Sequence, residues 1–135
     1  MLCVISMLLM SSCSLFYRER YACEAENVES IQIIRLDTCV REEYRWEYTI
    51  LSEISDIETF VNRLNKIEHS VNRGSPTVFC EGDIVIRINY KNGARDELCW
   101  LAQQFYPSDG NNWGSGYIFF NKEQFEALLA DYLAE

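Results

Sequence analysis

The sequence predicts an α+β fold: a mainly antiparallel sheet of about five strands with two helices packed on one face. Three observations carry this prediction. Period-two runs outnumber helical stripes, Asn92-Gly93 joins two of those runs as a hairpin turn, and two amphipathic stripes each follow a helix-capping signal. Strands joined largely by hairpins, with only two helices among them, segregate helix from sheet rather than alternating in a parallel α/β pattern.

The first strand is expected at Val28 to Leu36, where Ile31, Ile33, Ile34 and Leu36 make a β-type run. Asp37 to Glu43 reads as a polar connection. Tyr44, Trp46, Tyr48 and Ile50 then alternate with Arg45, Glu47 and Thr49, which puts the aromatic residues on one strand face and polar groups on the other. The two runs are expected to pair as an antiparallel hairpin. A helix follows from Ser55 to about Glu68. Ser55 and Glu58 form a capping box, and Ile57, Phe60, Val61, Leu64 and Ile67 form the apolar stripe. His69, just beyond it, reads as a satisfied surface histidine, because no second ligand or nucleophile motif flanks it.

Residues 70–82 read as a loop marked by Asn72, Gly74, Pro76 and Gly82, with a short strand placed at Val78 and Phe79. Asp83 to Tyr90 is the next strand, with Ile84, Ile86 and Ile88 on one face. Its return runs from Ala94 to about Ala102. A two-residue loop would set Ile88 opposite Glu97 on the apolar face. A three-residue loop, Lys91-Asn92-Gly93 with Gly93 left-handed, instead pairs Ile84 with Trp100 and Ile86 with Leu98, and sets Arg87 opposite Glu97 on the other face. The second register keeps like with like and is the expected one. Gln103 to Ser115 reads as a loop and Gly116 to Phe120 as the last strand. Asn121, with Gln124 as its box partner, opens a final helix whose stripe is Phe125, Leu128, Leu129, Tyr132 and Leu133.

A chain of 135 residues suits one domain, and 48% hydrophobic with 24% charged residues is the mix of a folded protein. Twelve basic against 21 acidic residues give a net charge of -9. That balance argues against a nucleic-acid surface, which needs clustered cations, and against docking on anionic lipid by a basic patch.

No charged residue precedes Arg18, and the apolar run at the N-terminus is shorter than the roughly 20 residues a membrane span needs. It matches the apolar region of a secretory leader, followed by small residues and a cysteine. Met10-Ser11-Ser12-Cys13 resembles the lipobox of bacterial lipoproteins, with methionine in place of the usual leucine and without a basic start to the leader. The resemblance implies a diacylglycerol on the Cys13 sulfur and cleavage before that residue. The chain then divides into a lipoprotein signal peptide (1–12), an anchor and polar spacer (13–27), and one α+β domain (28–135). The protein is expected on the extracytoplasmic face of the cell membrane. The competing reading makes the leader a buried strand or helix, with Cys13 an ordinary core thiol.

Cys23, Cys39, Cys80 and Cys99 remain in the exported part. In a small exported domain they offer up to two disulfides in three full connectivities, against the alternative of four free thiols. No Cys-x-x-Cys pair is present and His69 is the only histidine, so a structural zinc site is not expected.

No nucleophile elbow, Walker loop, dinucleotide fingerprint or zincin helix occurs, so no catalytic residue, metal or cofactor is assigned. The acids mostly alternate with Lys or Arg or sit in helix first turns, the pattern of a solvated face. The run from Asp109 to Gly114 fails as an EF-hand, because Trp113 and Phe120 stand where oxygen ligands are required. Trp100 to Phe120 holds seven of the chain's 18 aromatic residues. Trp113, Tyr106 and Tyr117 are the candidate contact residues of a binding surface, since exposed aromatics stack on sugars or anchor protein partners. The alternative is that these rings pack under the helices.

Beyond the leader, four segments carry a pattern: Glu47-Tyr48-Thr49, Ile57 to Phe60, Gly82 to Gly93, and Tyr117 to Phe125. With them the body resembles a family of small domains in exported proteins of Gram-positive bacteria, which the hairpin marks most specifically. The family brings no activity with it; the resemblance implies a fold and a location. The expected function is a non-enzymatic, lipid-anchored domain binding a protein or a cell-envelope component. The alternative is an acidic inhibitor or immunity-like protein that neutralises a basic toxin or enzyme. A carboxylate-based hydrolase of envelope polymers is a third.

Overall fold

The computed structural model describes residues 21–43, 45–71, 78–107, 114–115 and 118–134. Cys13, Trp113 and Tyr117 lie outside them. The α+β class, the antiparallel pairing and the two helices on one side of the sheet are as expected, but the strands are dealt out differently in detail.

The apolar run beginning at Val28 continues through the polar residues after it, so that β1 spans Val28–Val40. Its hairpin partner β2, Arg45–Glu53, holds it in an extended conformation as far as Val40. The connection is therefore shorter than the polar stretch Asp37 to Glu43. Residue 37 is the extra residue of an irregularity in this ladder, and its carboxylate accepts hydrogen bonds from Arg35 and the Thr49 hydroxyl. These bonds hold the Asp37 carboxyl below the usual carboxylate range, the Thr49 bond contributing most.

Helix α1 spans Ile57–Asn65. Its cap is Asp56 rather than Ser55: the Asp56 carboxylate accepts the Thr59 backbone N–H at 3.1 Å and the Thr59 hydroxyl at 2.7 Å. A carboxylate at this position also opposes the positive end of the helix dipole. Phe60, Val61, Leu64 and Ile67 are buried as the stripe requires. Beyond it β3, His69–Val71, pairs with β8, Ile118–Phe120, in a separate two-stranded ladder.

The central hairpin adopts the register that like-with-like pairing demands. In it β4, Ile84–Tyr90, and β5, Arg95–Leu98, set Ile86 against Leu98 and Arg87 against Glu97. Gly93 takes a φ of 88°, the left-handed turn position. The return strand then stops short. The Cys99 backbone N–H bonds the Ala102 carbonyl at 2.8 Å, turning the chain into β6, Gln103–Tyr106. That strand was expected as loop, and it pairs with β5 and with β7, Gly114–Ser115. No strand forms at Val78 and Phe79. The main sheet is thus β2-β1-β4-β5-β6-β7.

Helix α2, Lys122–Leu133, is capped by Asn121, whose side chain accepts the Gln124 N–H at 3.0 Å. The Gln124 side chain does not close the box. Its oxygen accepts the Glu68 N–H at 2.8 Å, while the Asn121 N–H bonds the Glu68 carbonyl at 2.7 Å, so the start of α2 is tied to the end of α1.

Alternation along the strands sorts the side chains into two faces. Ile31, Ile33, Ile86, Ile88 and Leu98 point to the helices and share one core with Phe60, Leu64, Phe125 and Leu128. Ile34, Leu36, Val85, Cys99 and Ala102 form a smaller cluster on the opposite face with Trp46 and Phe79, and among the described residues no helix residue joins it, so that this is the helix-free face of the described structure. The segment expected as a polar spacer also enters the main core: Tyr21 and Cys23 are buried there, and residues 25–27 form a short 3-10 turn leading into β1. Burying a large ring stabilises more than leaving the segment solvated, and Tyr21 packs against Phe105 and Phe120. Among the described residues no helix is long and apolar enough to cross a membrane.

Candidate binding site

The helix-free face is where the fold departs from a plain two-layer domain. One row of side chains crosses it from strand to strand: Glu53, Gln32, Arg87, Glu97 and Gln104 are successive register partners on β2, β1, β4, β5 and β6. At its centre Arg87 is only 8% exposed and Glu97 only 3%. Charged residues this deep are unusual unless paired. Glu97 Oε1 lies 3.6 Å from Arg87 Nη2 and 3.0 Å from Arg95 Nε.

Two tyrosines flank the charges. The Arg87 guanidinium sits 4.1 Å from the centre of the Tyr48 ring, and that of Arg95 sits 4.2 Å from the centre of the Tyr106 ring. Stacking of this kind contributes about 0.5–2 kcal/mol, more as the pair leaves water. Tyr106 is half-buried, and burial pushes its phenol up, with Glu97 adding to the shift and Arg95 opposing it. Tyr48 and Ile50 stand 42% and 45% exposed beside this cluster. Of the three aromatic residues proposed from sequence as contacts, Tyr106 is therefore on this face. Trp113 and Tyr117 lie outside the described residues.

The charge cluster is incompletely satisfied. Arg87 Nε, Arg95 Nε and Gln104 Nε2 are shut from water and have no hydrogen-bond partner. Arg95 Nε is at ion-pair distance from Glu97, but its N–H points off the line to that oxygen, so the contact is electrostatic without being a hydrogen bond. A buried donor without an acceptor costs about 1–3 kcal/mol.

On the other side of the sheet a second polar cluster is well satisfied. Asp96 Oδ2 accepts the Tyr21 hydroxyl at 3.0 Å and the Tyr90 hydroxyl at 2.6 Å. Burial, reinforced by Asp96, pushes both phenols up, so they stay protonated as donors. Asn65 holds Cys23 by both backbone groups, and the Tyr21 N–H donates to His69 Nε2 at 3.0 Å. His69 is thus a satisfied, half-buried residue that pins the segment before β1. Cys23, Glu24, Glu26, Ile57, Glu58 and Asn65 line an open groove of about 640 Å³ along α1.

The four cysteines are free thiols: Cys23 and Cys99 are buried, Cys39 and Cys80 exposed. Cys23 belongs to the helix-side core and Cys99 to the opposite cluster, so the sheet separates them. Burial pushes both of these thiols up, away from the thiolate that attacks substrates or binds metals. Among the described residues no three His, Cys, Asp or Glu side chains are grouped to hold a metal ion.

No family model, curated protein or solved structure matches this chain. Sequence periodicity set Arg87 across from Glu97, but it did not bring Tyr48 or Arg95 into the group. The first needs β1 inserted between β2 and β4; Arg95 shares a face of β5 with Glu97, but its stacking partner Tyr106 needs β6, which its short polar start disguises as loop.

Proposed function

We propose that the protein is a non-enzymatic domain, held by a lipid on Cys13 at the extracytoplasmic face of the membrane, that binds a protein or cell-envelope component. The helix-free face is its contact surface. The observation that carries this reading is the pairing of exposed Tyr48 and Ile50 with two ring-stacked arginines on a face that no described helix covers. Rigid aromatic side chains and arginines are the residue types that dominate binding energy at interfaces, and here strands rather than loops hold them in place.

Anchoring is tested by detergent phase partition of the protein beside Cys13→Ser, with intact mass on each. The wild type is expected in the detergent phase carrying a diacylglyceryl mass, and the variant in water without it. An unmodified, full-length wild type would remove the anchor from the reading. Surface use is tested by immobilising the protein and measuring what it retains from solubilised envelope. Tyr48→Ala combined with Tyr106→Ala should weaken retention by about tenfold or more, as loss of a hot-spot aromatic does. Equal retention would move binding elsewhere.

One observation favours the acidic-inhibitor reading. Glu24, Glu26 and Glu58 line the groove along α1, where a basic partner would find three carboxylates close together. Binding there would weaken steeply with salt and would be indifferent to Tyr48 and Tyr106.

A further inference from the structure

The unsatisfied groups on the helix-free face are all donors. Arg87 Nε, Arg95 Nε and Gln104 Nε2 lack acceptors, and no acceptor on this face is left unpaired among the buried side-chain atoms of the described residues. The three are neighbours: Arg87 and Gln104 are the register partners of Glu97 on either side, and Arg95 lies two residues before it on the same face. Two guanidinium groups here share one carboxylate, so the cluster carries a net positive charge within a chain of net charge -9. The next acid along the row, Glu53, is engaged by Gln32 at the far edge of the sheet. Donors without acceptors beside an uncompensated positive charge call for an oxyanion, and a guanidinium over an aromatic ring still has N–H groups to offer a planar carboxylate.

Resting on the reading of this face as the binding surface, we infer that it takes a carboxylate side chain from an acidic peptide segment of a partner protein. Arg95 receives the carboxylate, Arg87 adds its charge from the buried position behind it, and an apolar neighbour in the peptide lies on Tyr48 and Ile50. The Arg95 side chain is 35% exposed and is the point of first contact. Turning the Arg95 and Gln104 side chains outward presents their unpaired N–H groups to the incoming acid. Exposed Ile50 beside the cations favours a peptide over a polymer of sugars and phosphates, which has no apolar side chain to place there.

The test is a titration of the full ¹⁵N-labelled chain, following the side-chain N–H signals of Arg87, Arg95 and Gln104. The probes are acetyl-Leu-Glu-Leu-Glu-amide, its Leu-Gln-Leu-Gln counterpart, and inorganic phosphate. The acidic peptide is expected to shift these signals saturably. The glutamine peptide and phosphate should bind at least about tenfold more weakly, and Arg95→Gln should weaken the acidic peptide by a similar factor, the loss of one charge-assisted contact. The backbone amide spectrum of Arg95→Gln reports whether it stays folded; if it does not, Arg95→Lys, which keeps the charge and loses the planar edge, takes its place. Equal binding of the two peptides would overturn the carboxylate while leaving the face as a docking surface. Phosphate binding as tightly as the peptide would overturn the peptide partner. Absence of any saturable shift, or indifference to Arg95, would overturn the inference altogether.

Discussion

Glu97→Ala should destabilise the domain by about 3–5 kcal/mol, the range for removing one member of a buried ion pair. Glu97 is the carboxylate between two guanidinium groups, and its side chain is 4% exposed. Its removal strands Arg87, whose own side chain is 10% exposed and cannot reach water without leaving the Tyr48 ring. Arg95 suffers less, because more of it is already solvated. The loss is therefore dominated by one uncompensated buried charge, not by the few methylenes deleted. A second variant separates these effects. Arg87→Met combined with Glu97→Met removes both charges and keeps the volume, and it should recover most of the lost stability, since buried ion pairs seldom outperform well-packed apolar residues. Denaturant unfolding of both variants, with slopes compared, checks this. A loss below about 1 kcal/mol for Glu97→Ala would place that carboxylate in water and contradict the buried row.

Tyr21→Ala should lower stability by about 3–5 kcal/mol, the range for deleting a buried aromatic side chain. The ring is 1% exposed and stacks among Phe105 and Phe120, and its hydroxyl donates to Asp96. Tyr21→Phe keeps the ring and loses only that bond, so it should cost about 1.5–3 kcal/mol, the share of a hydrogen bond to a charged group. A chain beginning at Val28 loses the ring, the bond and the Asn65 clamp on Cys23 together, and should be less stable than either variant. The pH dependence follows from the same cluster. Burial raises the Tyr21 and Tyr90 phenols above their ordinary 10.0, so their contribution is complete below pH 10 and declines as pH rises beyond it, where unfolding releases protons. Tyr21→Phe should flatten that alkaline decline. A change below about 1 kcal/mol in Tyr21→Ala would mean that the segment is a spacer after all.

Legibility in the sequence tracked how local each interaction is. The two helix stripes and the hairpin around Gly93 were readable, because periodicity and turn chemistry act over a few residues. The Arg87–Glu97 pairing followed from that register alone. The helix α1 cap was misplaced by one residue, since Ser55 and Asp56 are both good caps and only the structure shows which side chain meets Thr59. Strand β6 was hidden: Gln103-Gln104 carries no strand pattern, and its extension comes from pairing with β5. The role of Tyr21 was hidden more deeply. It sits in a charged stretch that composition marks as solvated, and its partners Asp96 and His69 are distant in sequence. On the candidate site itself, Tyr106 is one of the aromatic residues the sequence singles out and lies half-buried on this face, whereas Tyr48 reads simply as one member of a hairpin face. Its position under Arg87 depends on the order of strands, which the sequence does not encode locally.

The most direct test of the helix-free face as a binding surface is site-specific photo-cross-linking in cells that make the protein. A benzophenone side chain is introduced in place of Ile50, on that face, and separately in place of Glu126, on the exposed side of α2. The account predicts a discrete adduct from position 50, absent at position 126 and abolished by Arg95→Gln in the same chain. An adduct from position 126 with none from position 50 would contradict it and assign binding to the helical side.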